Sequence, residues 1–498
     1  MNVNPITRLD YPDLDVIRVE DTYYMVSTTM HFMPGCEILQ SFDLVHWEHV
    51  TYVYETLDHT DAQQLKSGQN IYGQGMWAAS LRYHEDRFYI CFVANDTRKT
   101  YLYTSEKIDG PWKKQLIEGF YHDGSLLFDE DGRNYIVYGN DEIWITELNE
   151  DLTAPKKDGL HRLLVSDHKN PELGYEGSHI QKINGYYYIF LVHSLRDRWM
   201  RTEACFYSDS LEGEFTGGDV LCDDRGYCGQ GVAQGGIVDT PDGKWYAMLF
   251  QDSGAVGRIP ILLPVTWKDH FPFFGQNGHV PEEIEVHSTR PGYIYQPLVG
   301  SDDFCNGLLP RWQFNHDPDP RYYHLDALQG TYTITTREVC TELTQAVNTL
   351  TQRMSYPSCA AEVTVDASAL KEGDVAGLCA LQSCYAAVGI TKHHGKYEVL
   401  MLDKKEDGIL DMTEGTVVES HQMDFRLEAD FCNMKDEARC YYRVNKGDWL
   451  PIGTVHKLYF KLDHFTGCRF GLFCYAAEET GGSACFRDFK YYDVDEIS

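Results

Sequence analysis

Three carboxylic acids recur at one position of an internal repeat, and acids that meet in space can divide proton donation and proton acceptance between them. Five times the sequence writes a short polar turn followed by an aromatic and then an apolar run: Asp21-Thr-Tyr-Tyr, Asp86-Arg-Phe-Tyr, Asp131-Gly-Arg-Asn-Tyr, Asn184-Gly-Tyr-Tyr-Tyr and Asp242-Gly-Lys-Trp-Tyr. Eight residues before each turn stand Asp13, Ala78, Asp123, Glu176 and Gln234. A lone acid at a strand end is usually a turn former or a solvated group. Three at one repeat-equivalent position point instead to a shared polar site. Beside Ala78 stands Trp77, which reads either as a stacking wall or as packing between repeats. Paired acids with an aromatic platform suit a sugar, whose hydroxyls seek carboxylate acceptors and whose ring faces stack on aromatic planes.

One apolar strand separates each offset position from its turn, so the offset marks the same end of the same strand in every unit. Units about 45 to 65 residues apart, each a hairpin with further strand around it, have the sequence form of a β-propeller blade. Several units close with a second turn before an aromatic residue, as in Ser41-Phe-Asp-Leu-Val-His-Trp47 and Ser208-Asp-Ser-Leu-Glu-Gly-Glu-Phe215. Innermost strands of a propeller converge on its axis, where acids from separate blades would meet. The pattern predicts a five-bladed propeller over residues 1–290, nearly all β. A Pro- and Gly-bearing connector, Thr289-Arg-Pro-Gly-Tyr-Ile-Tyr-Gln-Pro, follows it. Residues 300–498 then alternate apolar and polar residues in short strands, which predicts a lectin-like β-sandwich.

Composition narrows the partners. A chain of 498 residues exceeds one ordinary hydrophobic core, in keeping with two domains. Its formal charge of −33 repels phosphate backbones and argues against nucleic acid. No run approaches the roughly 18 apolar residues of a membrane span, and the N-terminal segment lacks a basic-then-apolar signal. Fifteen cysteines, an odd number without a CxxC pair, are expected to be reduced thiols, which places the chain in the cytoplasm and argues against a zinc site. The sequence leaves open whether copies of the chain associate.

Asn4-Pro-Ile, Tyr11-Pro-Asp13, Trp77-Ala-Ala, Asp123-Gly-Ser-Leu, Tyr175-Glu-Gly-Ser-His-Ile and Gly257-Arg258 with Pro264-Val-Thr-Trp267 together resemble glycoside hydrolase family 43. The second half is similar to the accessory domain of that family's two-domain β-xylosidases and α-L-arabinofuranosidases. The resemblance implies an inverting mechanism with Asp13 as general base, Glu176 as general acid and Asp123 as a modulator that raises the Glu176 pKa and orients it. It implies that Arg258 contacts the sugar and that His31 and Phe32 border the sugar pocket, although their loop differs in length from the family pattern. Asp15 is a rival to Asp13, since alternation points both to one side of a strand. Gln234 stands where many members place a histidine associated with an axial calcium ion or water. No cofactor is required. A structural calcium in the sandwich would use Asp303 and Asp488, by analogy with accessory domains that pair acids from their first and last strands. A sandwich loop is expected to supply an aromatic wall to the pocket, with Phe486 in Glu478-Glu-Thr-Gly-Gly-Ser-Ala-Cys-Phe as the residue.

The function expected is exo-acting release of terminal α-L-arabinofuranose or β-D-xylose from pentose oligosaccharides derived from arabinoxylan. Invertase-type retaining propellers would carry an Asn-Asp-Pro-Asn nucleophile segment that this chain lacks. The alternative is a non-catalytic carbohydrate-binding propeller, against which a matched acid and base argue.

Overall fold

The computed structural model describes residues 2–493. Five four-stranded antiparallel sheets follow one another along the chain, over residues 15–54, 76–117, 125–166, 176–221 and 233–274. Their first strands (Asp15–Val19, Met76–His84, Ser125–Phe128, Glu176–Ile183, Ala233–Asp239) each pack against the next, and the fifth packs against the first. The result is a closed five-bladed propeller. Turn chemistry sets the hairpins: Asn184 and Gly185 both take left-handed backbone (φ 51° and 84°), which a two-residue connection between right-twisting strands demands.

The ring is closed by side chains as well. Asn2–Val3 pairs with Glu283–Ile284 after the fifth blade, and Asn4 exchanges hydrogen bonds with the backbone of Leu262 at 2.7 and 3.0 Å. Arg82 of blade 2 lies across the axis. It donates to Asp15 Oδ2 (2.7 Å), Ser125 Oγ (2.7 Å), the Leu126 carbonyl (2.8 Å) and the Ile180 carbonyl (3.2 Å), so one guanidinium ties four blades together.

The second half is a sandwich of a seven-stranded and a nine-stranded antiparallel sheet. The ninth strand of the larger sheet comes from the propeller: Phe32–Met33 pairs with Gln313–Asn315. Propeller residues Ala255, Val256 and Ile259 belong to the sandwich core around Trp312, Leu350 and Phe470. A buried ion pair also crosses the boundary, from Arg353 Nη1 to Glu37 Oε2 at 2.8 Å. Asp10 accepts from the backbone N–H of Arg258 (2.7 Å) on one side and of Gly467 (2.8 Å) on the other. The sandwich is therefore docked, not tethered.

Three buried imidazoles meet in this interface. The ring of His31 lies 4.7 Å from that of His316 and 5.2 Å from that of His464, with Tyr72 and Asn315 beside them. Burial keeps all three below the ordinary histidine range, His316 and His464 to about 3. His464 makes no hydrogen bond through its ring, so His464→Phe removes a titration and no bond. An unfolded chain protonates this residue near pH 6.5 while the folded chain does not until about 3, so the wild type loses stability as pH falls through that window. The variant is expected to gain on the wild type by about 1.4 kcal/mol per pH unit below 6.5, read from urea denaturation at several pH values. A difference that does not change with pH would show that the imidazole titrates inside the fold.

Candidate active site

At the entry of the inner strands the backbone turns left-handed at Asp13 (φ 51°), Asp123 (φ 49°), Gly177 (φ 66°) and Gln234 (φ 65°). Glu176 is thus one residue ahead of the position that Asp13 and Asp123 occupy, and it reaches the same place through a bulge between Glu176 and His179. Gly177 is constrained twice. A Cβ there would meet Gln234 Cγ at 2.7 Å, and its φ is one that side chains resist.

These turns aim Asp13, Asp123, Glu176 and Gln234 into a cavity of about 230 Å³ that Trp77 and Arg258 also line. Asp13 is buried and surrounded by donors: Thr28 Oγ1 at 2.6 Å, Gln234 Nε2 at 3.2 Å and Arg258 Nη1 at 2.5 Å. Arg258 is held from behind by Asp252, at 3.1 Å from its Nε, and lies between the rings of Phe250 and Phe465 at 4.6 and 3.9 Å. Asp123 Oδ2 accepts from the Gly177 N–H at 2.9 Å. Glu176 Oε2 accepts from Asn140 Nδ2 at 2.8 Å. Burial and the negative charges of Glu176 and Asp13 push the Asp123 carboxyl up to about 6, with His122 opposing.

The electrostatics of Glu176 differ from the expectation that Asp123 raises its pKa. Burial does favour its neutral form. The His122 imidazolium beside it, with Arg201 and Arg258 nearby, nevertheless holds it below the usual carboxylate range. His122 and Arg201 line the cavity, and neither was singled out in the sequence. Each had a signal: His122 directly precedes Asp123, and Arg201 begins a strand in a blade whose first strand bears Glu176.

Other expectations are corrected. Asp15 does not rival Asp13, because the left-handed residue at Asp13 breaks strand alternation. Its carboxylate faces Arg82 and His179, which pull it to about 2 against the effect of burial. His31 and Phe32 do not line the cavity. Phe32 lies in the shared strand under the Arg469 guanidinium at 3.5 Å, and His31 is buried in the interdomain imidazole cluster. Phe486 is fully buried in the sandwich core next to Tyr332. The aromatic wall supplied by the sandwich is Phe465, from the segment between the strands Leu450–Lys457 and Arg469–Ala476. Its ring lies 5.3 Å from Trp77 in edge contact. Trp77 is therefore part of the wall.

Asp303 and Asp488 are both exposed, and Asp303 Oδ1 accepts from the Cys305 N–H at 2.9 Å. Away from the cavity, the described residues bring no three His, Cys, Asp or Glu donors close enough to share a cation. On the axis, Gln234 keeps a buried Oε1 without a partner, as does Glu203 Oε1 beside it, so an ordered water or calcium ion there would meet amide and carboxyl oxygens. No helix among the described residues is long and apolar enough to cross a membrane.

A small cavity on a propeller axis, floored by three acids and walled by a docked sandwich, defines a carbohydrate-cleaving enzyme. Residues 3–272 match the model of glycosyl hydrolases family 43, and residues 301–492 match the beta xylosidase C-terminal concanavalin A-like domain. The chain belongs to glycoside hydrolase family 43. It is 26% identical to a beta-xylosidase of Formosa agariphila over 99% of this chain and 89% of that protein. Among solved structures it is similar to a bifunctional GH43-CE protein of Bacteroides eggerthii, with 41% identity and a TM-score of 0.91. The match covers all of this chain and 64% of that one, so the chain spans less than two thirds of that relative. A GH43 enzyme engineered to display endo-xylanase and exo-arabinofuranosidase activity matches at 27% identity over 99% of both chains, with a TM-score of 0.88.

Proposed function

We propose that this glycoside hydrolase is an inverting exo-enzyme that releases terminal α-L-arabinofuranose or β-D-xylose from xylan-derived oligosaccharides. The observation that carries this reading is the size and composition of the cavity. About 230 Å³ is below the roughly 300–1,000 Å³ typical of drug-sized ligands and suits one pentose, with the rest of the substrate outside. Asp13, held by three donors, takes a proton from the attacking water. Glu176 gives a proton to the leaving oxygen. Asp123 and Arg258 hold the carboxylates and the sugar hydroxyls in register, and Trp77 and Phe465 present faces to the sugar. The relatives named for xylosidase and arabinofuranosidase activity support both pentoses. None of the fifteen cysteines is disulfide-bonded, which supports a cytoplasmic enzyme acting on short oligosaccharides.

Turnover of aryl β-D-xyloside and aryl α-L-arabinofuranoside, followed by proton NMR of the first sugar released, tests this directly. One or both should be cleaved with the anomeric configuration inverted. Release of the retained anomer, or cleavage only of internal bonds in arabinoxylan, would refute the reading.

A further inference from the structure

His122 has no task in that division of labour. Its Nε2 lies 3.5 Å from Asp123 Oδ2 and 3.8 Å from Glu176 Oε2, with no hydrogen-bond partner. Its ring meets Trp77 edge-on at 6.0 Å, and 21% of the side chain is open although Nε2 itself is buried against the two carboxylates. The other charges that face this group are Asp13 from blade 1, Arg201 from blade 4 and Arg258 from blade 5.

We propose that His122 stores the proton that Glu176 delivers to the leaving group, so that the acid is charged from a neighbouring imidazolium and not directly from solvent. The inference rests on the reading of Glu176 as proton donor. In the resting site an imidazolium and two carboxylates crowd together. Transfer breaks the N–H bond at His122 Nε2 and forms an O–H bond at Glu176 Oε2, leaving a neutral imidazole, a neutral carboxylic acid and the Asp123 carboxylate. Three charges become one. Exclusion of water favours that redistribution, because charges cost more as the local dielectric falls. A sugar that fills the cavity therefore arms the acid as it binds. When the glycosidic bond breaks, Glu176 protonates the leaving oxygen and Asp13 takes a proton from water. Solvent then removes the proton from Asp13 and returns one to His122, so that the cycle consumes one water and no net proton.

Burial opposes the charge on His122, but Asp123 and Glu176 push its pKa up to about 9, so the cluster keeps this proton well above neutrality. Without the imidazole the proton must reside on the two carboxylates alone; Asp123, raised to about 6 by burial and its acidic neighbours, is freed from the opposing charge of His122 but gains no group of imidazole basicity beside it. The test compares kcat/KM against pH for the wild type, His122→Asn and His122→Gln on an aryl pentoside with a poor leaving group. The ratio of wild type to variant should grow by about 10-fold or more between neutral and alkaline pH, one pKa unit being tenfold. The alkaline limb of both variants should move to lower pH, and the effect should shrink for a dinitrophenyl leaving group, which needs little protonation. A ratio independent of pH would leave only a structural role. An alkaline limb moved to higher pH, as simple loss of a neighbouring positive charge would give, overturns the proposal.

A readout without turnover separates this inference from the assigned activity. By nitrogen-15 NMR of the substrate-free protein, His122 should keep both ring protons to about pH 9 and lose one at distinctly lower pH in Glu176→Gln. Titration near pH 6.5 in the wild type refutes storage even in an active enzyme. The expected titration in a protein that cleaves no pentoside would support proton storage and fault the activity alone.

Discussion

Asp13→Asn and Glu176→Gln should each lower kcat by roughly 10² to 10⁴ while leaving the protein folded. Both replacements keep size and hydrogen-bonding shape. The amide at position 13 can still accept from Thr28, Gln234 or Arg258, but it cannot take a proton from water. Its cost falls on every substrate, since activation of water does not depend on the leaving group. Glu176→Gln keeps an acceptor for Asn140 and loses the transferable proton. Its deficit should be largest for oligosaccharides, whose alkoxide leaving groups need protonation, and small for dinitrophenyl glycosides. Far-UV circular dichroism and an unchanged urea midpoint guard against misfolding. A folded variant of either residue that turned over oligosaccharide near the wild-type rate would remove that residue from the mechanism.

Ending the chain near residue 300 should yield insoluble or inactive protein. The cut leaves Phe32–Met33 without its strand partner, the buried Glu37 carboxylate without Arg353, and Ala255 and Val256 uncovered. Glu37 keeps His49 at 3.0 Å, so the main cost is the apolar interface surface returned to water, set against the roughly 5 to 15 kcal/mol that keeps a domain folded. The milder Phe465→Ala tests the wall alone. Loss of its stacking on Arg258 and contact with Trp77 should raise KM by roughly 10-fold with a smaller change in kcat, about the value of a desolvated cation–π contact. A soluble isolated propeller with full activity on small aryl glycosides would show that the sandwich contributes nothing to the site.

The acids were legible because a propeller repeats. Turn, strand and offset recur, and Asp13 and Asp123 fall at truly equivalent bends. Glu176 was found by the same count although its side chain springs from one residue earlier, since the bulge in its strand is invisible to spacing. Alternation makes Asp15 a rival to Asp13 while offset and motif favour Asp13, and the rivalry ends because alternation holds only along regular strand and a left-handed residue intervenes. The roof was harder. That an aromatic from the sandwich reaches the cavity was expected, but which loop does so is decided by how two domains dock, which no local pattern encodes. The polar, Gly-rich segment before Phe486 points to the wrong loop, Phe465 forms the wall, and His31 and Phe32 lie outside the cavity. Loop length carried the hint, because their loop departs from the family form and here serves the interface instead.

The strand shared between the domains also sets the order in which this protein can be completed during its synthesis. Phe32 and Met33 emerge from the ribosome early, yet Phe314 and Asn315, which cover that edge, follow roughly 280 residues later. At about 5–20 residues per second the first blade waits for tens of seconds with a bare strand edge. Exposed edges of that kind recruit other chains. Translation speed and nascent-chain chaperones, more than final stability, should therefore govern how much active enzyme a cell obtains, and a nascent propeller stalled before the sandwich should be captured by holdases or lost to aggregation.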